Sequence, residues 1–156
     1  FPALDFSISH GIRFAGCAVA KSANCGFDIE SSGRWEPDSS KPEVFLTEIE
    51  TSVLGRAPAT SKPRLLNQLW CAKEAYLKAK GVGFAKDPAS IQIDFELDKA
   101  FCLRNTRVRD DLVSSFHIAP LKSGYDMAAV SRNSGSEPVR FRSMSLKLGK
   151  IKGSLA

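Results

Sequence analysis

Apolar and polar residues alternate along residues 5–9 (DFSIS) and again along 13–20 (RFAGCAVA), with His10 and Gly11 between the runs. That pattern predicts two strands joined by a turn. Asn24 and Gly26 lead into a third strand at 26–30 (GFDIE), where Phe27 and Ile29 take one face and Asp28 and Glu30 the other. Residues 31–41 (SSGRWEPDSSK) read as a loop by composition. Pro42 suits the first position of a helix, and Phe45, Leu46, Ile49, Val53 and Leu54 follow as a helical stripe ending near Gly55. Residues 56–63 (RAPATSKP) read as a linker. The longest helix is predicted from about Pro63 to Lys80, with apolar faces from Leu65, Leu66, Leu69, Trp70, Tyr76 and Leu77, and Gly81 at its end. Beyond it, strand candidates at 90–96, 100–105, 114–121 and 125–131 are separated by polar turns, which predicts an antiparallel meander. Residues 132–137 read as a loop, and the alternation over 139–149 leaves a last strand and a disordered tail both open. No internal repeat is present. The whole predicts an α+β fold, an antiparallel β-sheet packed against two or three α-helices.

Length and charge narrow the classes. A chain of 156 residues reads as one domain, and at that size folding buries roughly 70% of the unfolded surface. The net charge of +5 suits an acidic partner, although much of the excess falls in the tail, at Arg140, Arg142, Lys147, Lys150 and Lys152. Nucleic acid is disfavoured as that partner, because no strand interleaves aromatic with basic residues and no finger or helix-turn-helix signature is present. Cys17, Cys25, Cys71 and Cys102 include no C-x-x-C, and the histidines are two, His10 and His117, so zinc is disfavoured and free, mostly buried thiols are expected. No run reaches ~18 apolar residues, and no signal peptide is visible, so no membrane span and a cytoplasmic location are expected. The chain opens on Phe1 and directly on an apolar run, which predicts a piece of a longer protein.

Candidate chemistry concentrates in two strings. Asp28 and Glu30 stand side by side on one strand face, oxygen ligands of the kind Mg²⁺ takes together with phosphate oxygens and water. Taken alone, the same pair also fits a strand end with two solvated acids. In WCAKEAYLKAKG (70–81), Lys73, Glu74 and Lys78 share one helix. Glu74 and Lys78 also make an ordinary i,i+4 ion pair, and Lys73 beside them is within reach of a phosphate. Ser9 and His10 are adjacent on a strand and so point to opposite faces. That geometry is poor for a Ser/His nucleophile and more natural for phosphate contacts. His117 reads as a core or surface histidine. Gly81-Val82-Gly83 follows a helix instead of preceding one, so it reads as a C-cap and not as a phosphate loop.

In order and spacing, SISH, then GFDIE, then Phe45, Leu46 and Glu50, then W-x-x-K-E-A-x-x-K-A-x-G resembles the 4′-phosphopantetheinyl transferase superfamily over residues 5–83. The resemblance is to its surfactin-type branch, in which a Ser-His motif precedes G-x-D-x-E in one chain. It implies an enzyme, a holo-[acyl-carrier-protein] synthase, that moves the 4′-phosphopantetheine arm of coenzyme A to a serine of an apo acyl or peptidyl carrier protein and releases adenosine 3′,5′-bisphosphate. By family role, Asp28, Glu30 and Glu74 would ligate Mg²⁺ and Glu74 would accept the serine proton. Lys73 and Lys78 would hold phosphates, Ser9 and His10 would contact coenzyme A phosphates, and Glu50 would be a further acid near the site. The resemblance also implies that residues 1–25 end a preceding similar half, that 26–138 form the catalytic half and that 139–156 are a basic tail, with self-association as another source of a missing half. Gly11 stands where the family usually has Ser, and Phe14 is the nearest candidate for an aromatic found just beyond. The other classes compatible with the sequence are a catalytically silent coenzyme-A- or carrier-protein-binding module and the disfavoured nucleic-acid binder.

Overall fold

A computed structural model describes residues 3–31, 33, 35, 42–111, 113–121, 124–132 and 141. Strands β1 (Leu4–His10) and β2 (Ala15–Lys21) form an antiparallel hairpin. Strand β3 (Asn24–Ser31) follows, then α1 (Glu48–Gly55), α2 (Lys62–Lys80), β4 (Ile93–Leu97), β5 (Leu103–Val108), β6 (Ser114–Leu121) and β7 (Tyr125–Arg132). The architecture is α+β, with antiparallel ladders and, among the described residues, two α-helices. The expected meander divides into two ladders. β3, β7 and β6 form one sheet with β7 in the middle, and β4 and β5 form a separate pair.

Helix α2 lies across β3 and β7 and supplies most of the core, with Leu65, Leu69, Ala72, Ala75, Tyr76 and Leu77 buried among Ile91, Ile93, Leu103, Ala128 and Val130. It ends as expected at Gly81, whose φ of 67° is a left-handed cap that glycine adopts without strain. The first helix differs from expectation. Pro42–Val44 is a 3-10 turn, and α1 starts only after Thr47. Thr47 accepts from the Glu50 N–H at 3.2 Å while the Glu50 carboxylate accepts from the Thr47 N–H at 2.9 Å. This reciprocal cap satisfies two otherwise orphaned donors and fixes the start of the helix. It also turns the helix so that Glu50 is buried while Ile49 is half exposed, although Phe45, Leu46 and Leu54 of the expected stripe are buried.

The β1–β2 hairpin sits on the outer edge of β3 and presents its polar face to it. Asp5 and Ser7 accept from the N–H groups of Cys25 and Phe27 at 2.7 and 2.9 Å. Side chains thus satisfy an edge that would otherwise be open. Leu4, Phe6 and Ile8, with Val19 across from Phe6, face outward and are well exposed. All four cysteines are free, and only Cys17 is exposed. No described helix is long and apolar enough to cross a membrane. The expected 132–137 loop and 139–149 tail fall outside the described residues, except Arg132 and Phe141, whose ring stacks on His117.

Candidate functional site

The site begins with a glycine. A Cβ on Gly26 would lie 1.7 Å from the Ala75 carbonyl oxygen and 2.7 Å from the Ala79 nitrogen. With no side chain there, the backbones of β3 and α2 can touch. Farther along the strand, the Glu30 carbonyl accepts from Asn67 Nδ2 at 3.2 Å, so strand and helix run in opposite directions. Alternation then turns Asp28 and Glu30 towards α2, while Phe27 and Ile29 enter a second apolar cluster with Tyr125 and Ala129. On α2, Cys71, Glu74 and Lys78 follow at spacings of three and four and share one stripe.

Asp28 is 3% exposed. Its Oδ1 accepts from Ser9 Oγ and from Lys78 Nζ, each at 2.8 Å. Its Oδ2 is buried without a hydrogen-bond partner among the described residues. Lys78 also donates to the Phe27 carbonyl at 3.1 Å, which is its alternative to the expected ion pair with Glu74. Glu74 is buried, and Glu30 is partly exposed at the strand end. The Cys71 thiol marks how acidic this interface is. Burial, then the carboxylates of Asp28, Asp126 and Glu30, push it well above the ordinary thiol value.

Among the described residues no three His, Cys, Asp or Glu side chains converge closely enough to hold a metal ion. The expected three-carboxylate set of Asp28, Glu30 and Glu74 is therefore not assembled as a cage. A narrower fit remains. Mg²⁺ commonly binds through one or two carboxylates, with phosphate oxygens and water completing its shell. The buried Oδ2 of Asp28 suits that use.

Lys73 requires a correction. It was expected to hold a phosphate, but its side chain is 0% exposed and its ammonium donates to Glu50 Oε2 at 2.7 Å, the Phe45 carbonyl at 2.7 Å and the Pro88 carbonyl at 3.0 Å. Three fixed acceptors use all three of its donors. Burial pulls its pKa below the ordinary lysine value, against the opposing pull of Glu50. Glu50 in turn accepts from the Ile93 N–H at 2.8 Å. The pair ties α1, α2 and the approach to β4 together on the far side of the helix from Asp28.

Ser9 and His10 diverge as their places on a strand require. Ser9 points inward to Asp28 and His10 is exposed on the outward side. A Cβ on Gly11 would come within 2.8 Å of the Tyr125 ring, which Phe14 meets edge-on at 4.9 Å. Tyr125 therefore favours glycine where the family usually has Ser. Sequence reasoning missed Asp126, 1% exposed on β7 opposite Glu30. It accepts from Asn67 Nδ2 at 2.9 Å and Gln68 Nε2 at 3.0 Å. A lone acid in an apolar strand facing an Asn-Gln pair on a helix was the available signal.

Comparison with known proteins identifies the family. The model of the 4′-phosphopantetheinyl transferase superfamily matches residues 24–130. A 4′-phosphopantetheinyl transferase, HetI of Nostoc sp., is 35% identical over 83 residues, 53% of this chain and 35% of the relative. The chain thus spans about a third of that relative's length. Among solved structures, a holo-(acyl-carrier-protein) synthase of Bacillus anthracis in complex with CoA (3′,5′-ADP) superposes with a TM-score of 0.56 at 24% identity, covering 69% of this chain and 93% of its own. The Helicobacter pylori holo-[acyl-carrier-protein] synthase in complex with coenzyme A gives 0.49 at 21% identity, covering 68% and 96%.

Proposed function

We propose that this chain, which belongs to the 4′-phosphopantetheinyl transferase superfamily, transfers the 4′-phosphopantetheine arm of coenzyme A to a serine of an apo acyl or peptidyl carrier protein. The observation that carries the reading is the pairing of Asp28 with Lys78 at 2.8 Å, which joins two motifs 50 residues apart into one acidic and basic cluster. The family model and the activity in the name of HetI support the substrate class.

In this reading the carrier serine oxygen attacks the phosphoryl group next to the pantetheine. A new P–O bond forms, the pyrophosphate P–O bond breaks and adenosine 3′,5′-bisphosphate leaves. Glu74 accepts the serine proton, directly or through water. Lys78 donates to the pyrophosphate oxygens and offsets the charge that grows on them. Asp28 through Oδ2, with one of the neighbouring carboxylates Glu30 and Glu74, would hold Mg²⁺. The metal, when bound, supplies Lewis-acid polarisation of the pyrophosphate. Ser9 orients Asp28, and His10 contacts a coenzyme A phosphate from the other side of β1. Lys73 and Glu50 hold the helix that carries Glu74.

The finer assignments are part of the same proposal. The packing of the Ser9 hairpin onto Asp28 favours the surfactin-type branch. The apolar outer face of that hairpin supports placing residues 1–25 with a preceding half, since a sheet face of this kind needs a covering layer; self-association is the other way to cover it. Residues 26–138 are then the catalytic half and 139–156 a basic tail. That no three-carboxylate cage forms among the described residues favours one second reading, a silent module that binds coenzyme A or carrier protein without turnover.

Intact-mass measurement of an apo carrier protein, incubated with this chain, coenzyme A and Mg²⁺, tests both readings. A gain of one phosphopantetheine is expected, abolished by EDTA and by Glu74→Ala. Near-normal transfer by folded Glu74→Ala would remove Glu74 as ligand and base. No transfer here or by a longer chain with the preceding half would leave the silent module.

A further inference from the structure

Lys78 and Asp28 differ in exposure. The Asp28 side chain is 5% exposed and that of Lys78 31%, with the ammonium at 2.8 Å from Oδ1. The lysine therefore reaches in from the solvent side, over a carboxylate whose other oxygen is buried. Its second contact, the Phe27 carbonyl at 3.1 Å, belongs to the same strand. Both acceptors of Lys78 among the described residues thus lie on β3, whereas Lys73 is tied to α1 and to the turn before β4. Ser9 bonds the same Oδ1 and remains there if Lys78 leaves.

We infer that Lys78 is a built-in counter-cation of Asp28, which a metal ion must work against until a phosphate draws the ammonium away. This rests on the proposed use of Asp28 as a metal ligand. A divalent ion bound at Oδ2 would share one carboxylate with the ammonium, and two positive charges on one partly desolvated carboxylate repel strongly. Binding of metal alone is therefore weak. Arriving pyrophosphate offers Lys78 new acceptors and removes the repulsion, so metal and phosphate load together. The arrangement keeps the free enzyme from holding a divalent ion unproductively.

The test is Mn²⁺ affinity by electron paramagnetic resonance, with and without coenzyme A, on the whole chain and its Lys78→Gln, Lys78→Arg and Asp28→Asn variants, each checked for folding by circular dichroism. Without coenzyme A, Lys78→Gln is expected to bind Mn²⁺ about tenfold more tightly than wild type, and Lys78→Arg, which keeps the charge, no more tightly. With coenzyme A the gap between wild type and Lys78→Gln is expected to close. Equal or weaker binding by Lys78→Gln, with binding still lost in Asp28→Asn, would overturn the counter-cation role and leave the metal reading standing. A gap that persists with coenzyme A would overturn the release by phosphate. Binding that no variant changes, or no binding by any protein, would overturn the metal reading of Asp28 and this inference with it.

Discussion

Replacing Lys73 by Met separates two roles that the sequence allows it. The ammonium is fully buried and makes three hydrogen bonds, one of them a 2.7 Å ion pair with fully buried Glu50. Met fills nearly the same space but leaves the Phe45 and Pro88 carbonyls without their donor. It also leaves a buried carboxylate held only by the N–H groups of Thr47 and Ile93. Removing one partner of such a pair typically costs about 3–5 kcal/mol, out of a total that is commonly about 5–15 kcal/mol. Glu50→Gln is expected to cost a similar amount, because it strands the ammonium. The double variant Glu50→Gln/Lys73→Met removes the stranded charge, so it is expected to be more stable than the sum of the singles by about 2–3 kcal/mol. Urea unfolding followed by tryptophan fluorescence reads this directly, since Trp35 and Trp70 both pack against Phe45. A Lys73→Met protein within about 1 kcal/mol of wild type that had lost coenzyme A affinity would refute the reasoning and return Lys73 to the phosphates.

Two further outcomes follow from the packing and the titration. Gly26→Ala puts a methyl into the Ala75 carbonyl, a backbone atom that no rotamer change can move; a loss of about 3 kcal/mol or more is expected in chemical denaturation, and an unaffected variant would mean that β3 and α2 do not touch there. Burial and the hydrogen bond to Asp111 push the Tyr76 hydroxyl up to about 12. The unfolded chain ionises this group near its ordinary value of 10, so unfolding releases a proton between pH 10 and 12. The stability it contributes is complete below that window and lost as pH rises through it. Tyr76→Phe is expected to flatten the fall in thermal melting temperature across that range, and parallel curves for the two proteins would refute the assignment.

The elements were legible where local chemistry decides them. The 3.6-residue stripe and Gly81 located α2, and alternation located β1, β3, β6 and β7. Two failures have a common physical source. The stripe from Pro42 was read as continuous because Thr47-x-x-Glu50 lay inside it, and a capping box can start a helix in the middle of an apolar pattern. The hairpin's period was visible, but a period does not say which face is covered. Polar Asp5, Ser7 and Ser9 turned inward because β3 has unpaired edge groups there, which only the tertiary arrangement reveals. For the site, G-x-D-x-E placed Asp28 and Glu30 on a common face without showing that Gly26 sets the distance to α2. The string K-E-x-x-x-K could not show that the partner of its first lysine stands 23 residues away.

That difference between the two lysines of one helix explains how the site is built. At about 100° of helix rotation per residue, Lys73 and Lys78 are separated by about 140°, whereas Glu74 lies about 40° from Lys78. Helix α2 therefore has one side fixed by Lys73 and another that faces Asp28 on β3. On the fixed side Lys73 spends every donor on α1 and on the turn before β4, and is closed to solvent. On the other side Lys78 keeps solvent access and, among the described residues, bonds to β3. In the proposed reading Lys78 handles phosphate, a role that requires it to leave its resting partner, and its 31% exposed side chain leaves room for that. Glu74, one residue from the anchored lysine, gains a defined position from the same anchor. The adjacent Lys-Glu pair thus combines a buried support with a side chain on the β3 side of the helix, and neither residue can exchange places with the other without unmaking both.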